Sequence, residues 1–295
     1  MKVAVVGAGT MGRGIAQAFA TCEEVETVYL CDIQVEYAEF GQKKIVSAFS
    51  KRIAKGKMTQ QEAGNILSKI KTGKTDIAVD PDLVVEAVIE DMATKKSIFK
   101  ELQNEIVKNP DCVYATNTSS LSITEIGAGL KTPVVGMHFF NPAPVMKLVE
   151  VIAGLNTPES TVAKVNEYAK MLGKTPVQVA ESAGFVVNRL LIPMINEGIL
   201  VYSEGVSDVA GIDAAMKLGC NHPMGPLELG DYIGLDICLA IMNVLYEETA
   251  DSKYRPAPLL KKMVRGKHLG CKTGIGFYKY NEDGTKTPVD AKVEA

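Results

Sequence analysis

Residues 2–20, KVAVVGAGTMGRGIAQAFA, hold three local signals in succession. The β-branched apolar run over 2–6 reads as a buried strand, the glycines after it as a tight turn, and the spacing from residue 10 onward as a helix. Gly7, Gly9 and Gly12 stand in the G-x-G-x-x-G pattern at that turn. There the first glycine makes the turn, the second lets the backbone approach a pyrophosphate, and the third lets helix pack closely on strand. The helix N-terminus then offers amide groups to the phosphates, with Thr10 and Met11 in the same turn. The glycines alone are a weak signal, but a second strand, TVYLCD over 27–32, ends in Asp32. A carboxylate at that distance is placed to meet the adenine ribose hydroxyls of a dinucleotide. It would also repel a 2′-phosphate, and Ile33 and Gln34 offer no arginine to bind one, so NAD is expected and NADP disfavoured.

Working outward, VEYAEFGQKKIVSAFSKRIAKGK (35–57) has helical spacing, and TQQE begins another helix, Thr59 and Glu62 having the spacing of a capping box. Together they predict a helical hairpin inserted after the second strand. DLVVEAVI, CVYAT, PVVGMHFF and TPVQVA read as buried strands alternating with helical pieces such as MATKKSIFKELQNEIVK. Strands with helices between them predict an α/β fold, a Rossmann-type, doubly wound, mainly parallel sheet. After ESAGF (181–185) the pattern turns helical, predicting a smaller all-helical C-terminal domain. The expected division is 1–183, 184–282 and a loose polar tail over 283–295.

Composition narrows the function. The 295 residues, 46% hydrophobic, suffice for one large or two ordinary domains, and a net charge of −3 leaves no basic surplus for nucleic acid. No apolar run approaches the roughly 20 residues of a membrane span, so a cytoplasmic protein is expected. Cys22, Cys31, Cys112, Cys220, Cys238 and Cys271 never approach C-x-x-C spacing, which suggests neither a metal site nor a disulfide framework.

Oxidising an alcohol beside a dinucleotide needs a base for the hydroxyl proton, usually histidine. His222 and His268 fall in the presumed helical domain, whereas His138, in GMHFFNPAPVMKLVE (136–150), closes a strand of the sheet, where open α/β sheets bind ligands. If VVGMHFF and KLVEV pair antiparallel across NPAPVM, His138 and Glu150 are equidistant from Pro144 and face each other. A glutamate there would fix the imidazole tautomer. From spacing alone, a hydrogen-bonded core histidine and a solvated Glu150 stay open. The loop TNTSSLSITEI (116–126) gathers hydroxyls suited to a substrate oxygen, or a helix cap at Ser120 or Ser122. GFVVNRLL sets Asn188 and Arg189 in an apolar helix start, where Asn188 serves a ligand or simply bonds backbone.

These pieces, in this order, resemble the L-3-hydroxyacyl-CoA dehydrogenase family, most closely its stand-alone bacterial 3-hydroxybutyryl-CoA dehydrogenases. The resemblance runs to about Tyr280 through VGAGTMGRGIAQ, NTSSLSITE, GMHFFNPAPVMKLVEV, GFVVNRLLIPMINE, AMKLGCNHPMGPLELGDYIGLD and KTGIGFYKY. It implies that His138 is the catalytic base, Glu150 its orienting partner, and Ser119 and Asn188 the holders of substrate oxygens. It places cofactor contacts at Asp32, Glu90, Lys95, Asn117, Ser119, Asn141 and Lys272. It also implies that the end of the long helix binds CoA through Lys55, with Lys51 on the same face, and that Ser119 is a further contact of the acyl-CoA. One departure is that a serine of the family aligns with Ala48, Ser47 being adjacent. A homodimer through the helical domain is implied as well, with LDICLAIMNVLY (235–246) as an apolar helix for it. With no hydratase segment in the sequence, dehydrogenation alone is expected. Two alternatives stand beside this: a sugar-acid or hydroxy-acid dehydrogenase of the gulonate dehydrogenase and lambda-crystallin branch, where HPVNP would replace HFFNP, and a non-catalytic NADH-binding sensor.

Overall fold

The structure, a computed structural model, describes residues 1–289. The chain divides into two compact units, Met1–Ser182 and a second beginning at Ala183.

In the first unit, β1 (Lys2–Val6), β2 (Thr27–Cys31), β3 (Ile70–Gly73), β4 (Leu83–Glu86), β5 (Val113–Thr116), β6 (Val134–Phe139), β7 (Leu148–Ala153) and β8 (Thr175–Ala180) form one sheet. Its order is β3-β2-β1-β4-β5-β6-β7-β8. The first six strands run parallel, because each crossover carries a helix or a longer excursion. The short segment 140–147 cannot cross the sheet, so β7 returns antiparallel to β6, and β8 follows parallel to β7. Strands β4 and β5 are buried along their whole length, which is why they read as continuous apolar runs. Strand β3, sequence IKTG, was not predicted; it is a four-residue edge strand whose Lys71 and Thr72 hide any apolar period.

Helix α1 (Thr10–Thr21) packs Ile15, Ala16, Phe19 and Ala20 on the sheet, with Phe19 edge-on to Phe139 at 6.3 Å. Burying Phe19 and Ile15 contributes roughly 1.5–3 kcal/mol each. The expected helical hairpin is present as α2 (Val35–Ala54) and α3 (Gln60–Ser68), the latter opened by the Thr59–Glu62 capping box. Along its 20 residues α2 buries only Ala38, Gly41, Ile45 and Phe49, a narrow stripe that leaves its flanks to other uses. The remaining helices of this unit are α4 (Met92–Glu101), α5 (Ile123–Gly127) and α6 (Glu159–Met171).

The second unit contains α7 (Val187–Ser203), α8 (Val209–Gly219), α9 (Pro226–Ile233), α10 (Leu235–Thr249) and α11 (Pro258–Arg265). Its core includes Ile195, Ile199, Leu227, Leu235, Met242 and Leu245. Buried Asp213 on α8 accepts from Leu227 N at 2.8 Å and Glu228 N at 2.9 Å, capping α9. Among the described residues no single helix is long and apolar enough to cross a membrane; α9 and α10 pass that test only as a pair bent by 97°.

Two expectations need correction here. The unit is helical but not wholly so, since β9 (Tyr278–Tyr280) and β10 (Lys286–Pro288) pair antiparallel. Residues 283–289 are therefore not a loose tail; Asn281 and Thr285 close a turn in which Gly284 takes φ +83°. The Asp-Gly pair in NEDGT was the hairpin signal that polarity obscured. The rest of the expected tail, 290–295, lies outside the described residues.

Candidate active site

Strand β1 has β2 on one side and β4 on the other, so chain direction across the sheet switches at its C-terminal end. There Gly7 takes φ +100° and donates to Cys31 O at 2.8 Å; a Cβ on it would lie 2.5 Å from Ala87 O. A Cβ on Gly12 would lie 1.7 Å from Gly7 O. At Gly9 nothing lies within 4 Å of the same position. Two glycines are thus required by the protein itself, and the third leaves open approach for a ligand. Asp32 is pinned at the end of β2, Oδ2 accepting from Ala8 N at 2.7 Å and Oδ1 from Ile33 N at 2.8 Å. A glycine cradle at a helix N-terminus, faced by a fixed carboxylate, fits a dinucleotide without a 2′-phosphate. Thr10 and Met11 begin α1 beside this cradle.

At the end of β6 the register sets His138 directly opposite Glu150. His138 Nδ1 lies 2.8 Å from Glu150 Oε2, with the two residues 5% and 1% exposed. Glu150 is therefore not in solvent, and the histidine is not an isolated core residue. A carboxylate only accepts, so Nδ1 carries the proton of this bond and Nε2 is the basic nitrogen. The Phe140 ring lies 4.6 Å from the imidazole.

Between these two features stands a charged network. Fully buried Glu86, last residue of β4, accepts from Lys95 Nζ and Val88 N through Oε1, at 2.7 and 2.8 Å. Its Oε2 accepts from Thr116 Oγ1 at 2.6 Å. Lys95, 1% exposed, also pairs with Glu90 Oε2 at 3.3 Å. Glu90 Oε1 in turn accepts from Thr118 Oγ1 at 2.6 Å, Ser119 N at 2.7 Å and Ser119 Oγ at 3.1 Å. Burial pushes the Glu90 carboxyl up, but the Lys95 charge and these hydrogen bonds outweigh it and hold it below the usual range. Asn117 Oδ1 accepts from Phe139 N at 2.8 Å, tying the same loop to the residue after His138. Ser122, not Ser120, caps α5.

A cleft of about 560 Å³ lies between α1, α2 and the segment 141–145. Arg13, Lys44, Lys51 and Arg52 bring four cations to it, and Ala48 and Asn141 also line it. Lys51 is among the residues lining this cleft; Lys55 is the exposed C-cap of α2 and is not among them. Asn188 sits in the first turn of α7, and Lys272 is ion-paired with Asp236; both belong to the second unit.

Sequence reasoning passed over Glu86, Arg13, Lys44 and Arg52, and took Thr116 and Thr118 only as part of a hydroxyl-rich loop, not as partners of Glu86 and Glu90. A signal existed for two groups of them. Glu86 interrupts the apolar run LVVEAVI, where a carboxylate needs a buried cation. Lys44, Ala48, Lys51 and Arg52 share one helical face by their spacing.

Residues 2–182 match the family described as 3-hydroxyacyl-CoA dehydrogenase, NAD binding domain, and residues 184–280 match 3-hydroxyacyl-CoA dehydrogenase, C-terminal domain. A 3-hydroxybutyryl-CoA dehydrogenase of Clostridioides difficile is 52% identical over 290 residues, covering 96% of this chain and 100% of that one. A probable 3-hydroxybutyryl-CoA dehydrogenase of Bacillus subtilis is 49% identical, covering 95% and 98%. The crystal structure of an (S)-3-hydroxybutyryl-CoA dehydrogenase from Ralstonia eutropha superposes with a TM-score of 0.89 at 46% identity, covering 95% and 99%. With both domains matched in order and such identity sustained along nearly the whole length, the chain belongs to the 3-hydroxyacyl-CoA dehydrogenase family and its cofactor is NAD(H).

Proposed function

We propose that this protein is an NAD-dependent 3-hydroxybutyryl-CoA dehydrogenase, reversibly oxidising a short-chain L-3-hydroxyacyl-CoA to the 3-oxoacyl-CoA. The buried His138–Glu150 pair at the sheet end carries the reading. The relatives' names and the cationic cleft support the CoA thioester, and neither the sugar-acid nor the non-catalytic alternative is favoured.

NAD, when bound, supplies the acceptor for hydride from C3. His138 Nε2 takes the C3 hydroxyl proton, and Glu150 stabilises the resulting imidazolium and fixes the ring. In the reverse direction the imidazolium returns that proton. Ser119 holds a substrate oxygen, for which its hydroxyl turns away from Glu90 Oε1. Asn188 serves the same end from α7. Asp32, Glu90, Lys95, Asn117, Asn141 and the glycine turn hold the cofactor, and Lys272 keeps the cofactor role that the family resemblance implies. Lys51, with Lys55 at the helix end, faces the CoA phosphates.

The protein acts in the cytoplasm as a homodimer through its second unit. Leu190, Val206 and Leu218, 70%, 69% and 86% exposed, are apolar surface of this unit that self-association would cover. The apolar side of α10 expected for this role is instead spent on the unit's own core through Leu235, Cys238, Ile241, Met242 and Leu245. Light scattering should find twice the 31.7 kDa chain mass; a single-chain mass refutes the dimer.

The deciding assay follows NADH consumption with acetoacetyl-CoA and free acetoacetate side by side. Turnover of the thioester alone is expected. Preference for the free acid would move the assignment to the sugar-acid branch, and NADH binding without turnover to the sensor.

A further inference from the structure

Helix α6 ends in a Schellman motif. Gly173 takes φ +66°, its N donates to Lys170 O at 2.8 Å, and Lys174 N donates to Ala169 O at 3.0 Å. This stop turns the Lys174 side chain inward, leaving the residue 8% exposed. Its ammonium donates to Ala143 O and to Met146 O, both at 2.7 Å, and lies over the Phe139 ring at 5.9 Å. Its acceptors are thus backbone carbonyls on the two sides of a turn. Burial, together with the charge of Lys147, pushes its pKa down, so the site holds this cation at a cost. The turn it grips is a wall of the cationic cleft, which Ala143, Pro144 and Val145 line opposite Lys44, Lys51 and Arg52. The other edge of that wall rests on α1, since a Cβ on Gly14 would lie 3.3 Å from Ala143 Cβ.

We infer that Lys174 is a positioning residue for substrate: its ammonium fixes the 143–146 turn and so sets the width of the cleft that receives the nucleotide end of the CoA thioester. The inference rests on reading that cleft as the CoA site. His138 and Glu150 are held separately, by the β6–β7 register, so loosening the turn acts on binding rather than on proton transfer.

The test compares 3-hydroxybutyryl-CoA with 3-hydroxybutyryl-pantetheine, which keeps the thioester and lacks the nucleotide, in the parent enzyme, Lys174→Met and Lys174→Gln. In Lys174→Met the KM for the CoA thioester should rise about tenfold, with kcat changed by less than about twofold. The kcat/KM for the pantetheine thioester and the affinity for NADH should stay at parent values. Lys174→Gln, which retains donors for the carbonyls, should fall between, and it carries the test if the methionine variant does not fold. Equal losses on both thioesters, or none on either, would overturn the role given to Lys174. A parent enzyme that does not distinguish the two thioesters would instead overturn the CoA reading of the cleft, whatever the variants do.

Discussion

Replacing Glu86 with alanine should be among the most damaging single changes outside the catalytic pair. The carboxylate is fully buried and its cation, Lys95, is 1% exposed, so water cannot compensate for the lost partner. Removing one member of such a pair costs about 3–5 kcal/mol, because the other charge remains buried. Val88 N and Thr116 Oγ1 lose their acceptor as well, which pushes the cost up. Glu90 pulls the other way: its carboxylate stands 3.3 Å from the ammonium, but its side chain is 36% exposed and it compensates only in part. A net loss of about 4 kcal/mol is expected, and at about 2–4 °C per kcal/mol for a unit of this size the melting temperature should drop by roughly 8–16 °C. Urea and thermal unfolding of the full chain without cofactor measure this. In the double variant Glu86→Met with Lys95→Met, the buried charges go together, and much of the stability should return. If Glu86→Ala lies within about 1 kcal/mol of the parent, or the double variant loses the sum of the two singles, the buried-pair argument is wrong.

The glycine turn offers a contrast between neighbours: Gly12→Ala should fail to fold normally, its Cβ colliding with Gly7 O, whereas Gly9→Ala should keep parent stability and lose at least about tenfold in NADH affinity. Circular dichroism and NADH titration check both, and a stable Gly12→Ala would refute the close-packing account. In the second unit, burial raises the Asp231 carboxyl to about 6 despite hydrogen bonds from Phe277 N, Tyr278 N and Tyr280 Oη. The folded state then holds a proton that the unfolded chain has released above its ordinary 3.8, so stability from this group falls as pH rises from about 4 to about 6. The full effect is about 3 kcal/mol, and Asp231→Asn should gain on the parent by that order between pH 4 and pH 7. A difference in melting temperature that stays flat across that range contradicts it.

Much of the site was readable because it depends on short-range pattern. The glycine spacing reports the local turn, where Gly12 packs against Gly7 O and Gly9 stands in the open, although the backbone that crowds Gly7 is that of Ala87 on the neighbouring strand end. Counting outward from Pro144 gave the His138–Glu150 register, because a short return between antiparallel strands fixes which residues face. Legibility ended where partners are joined only by the fold. Lys95 meets Glu86 across a strand-to-helix turn, and Lys174 reaches a turn some thirty residues back in sequence, pairings no local period announces. Strand β3 was missed because an edge strand need not be apolar. The hairpin at 278–288 was missed because its residues are polar, although its turn chemistry was in view.

The central claim is that His138, oriented by Glu150, moves the substrate proton. It is tested most directly by the kcat of His138→Gln in acetoacetyl-CoA reduction, measured together with its NADH affinity. A fall of about 10²–10⁴-fold in kcat with unchanged NADH binding is expected. A variant that binds NADH normally and keeps kcat within about tenfold of the parent would mean that another group carries the proton.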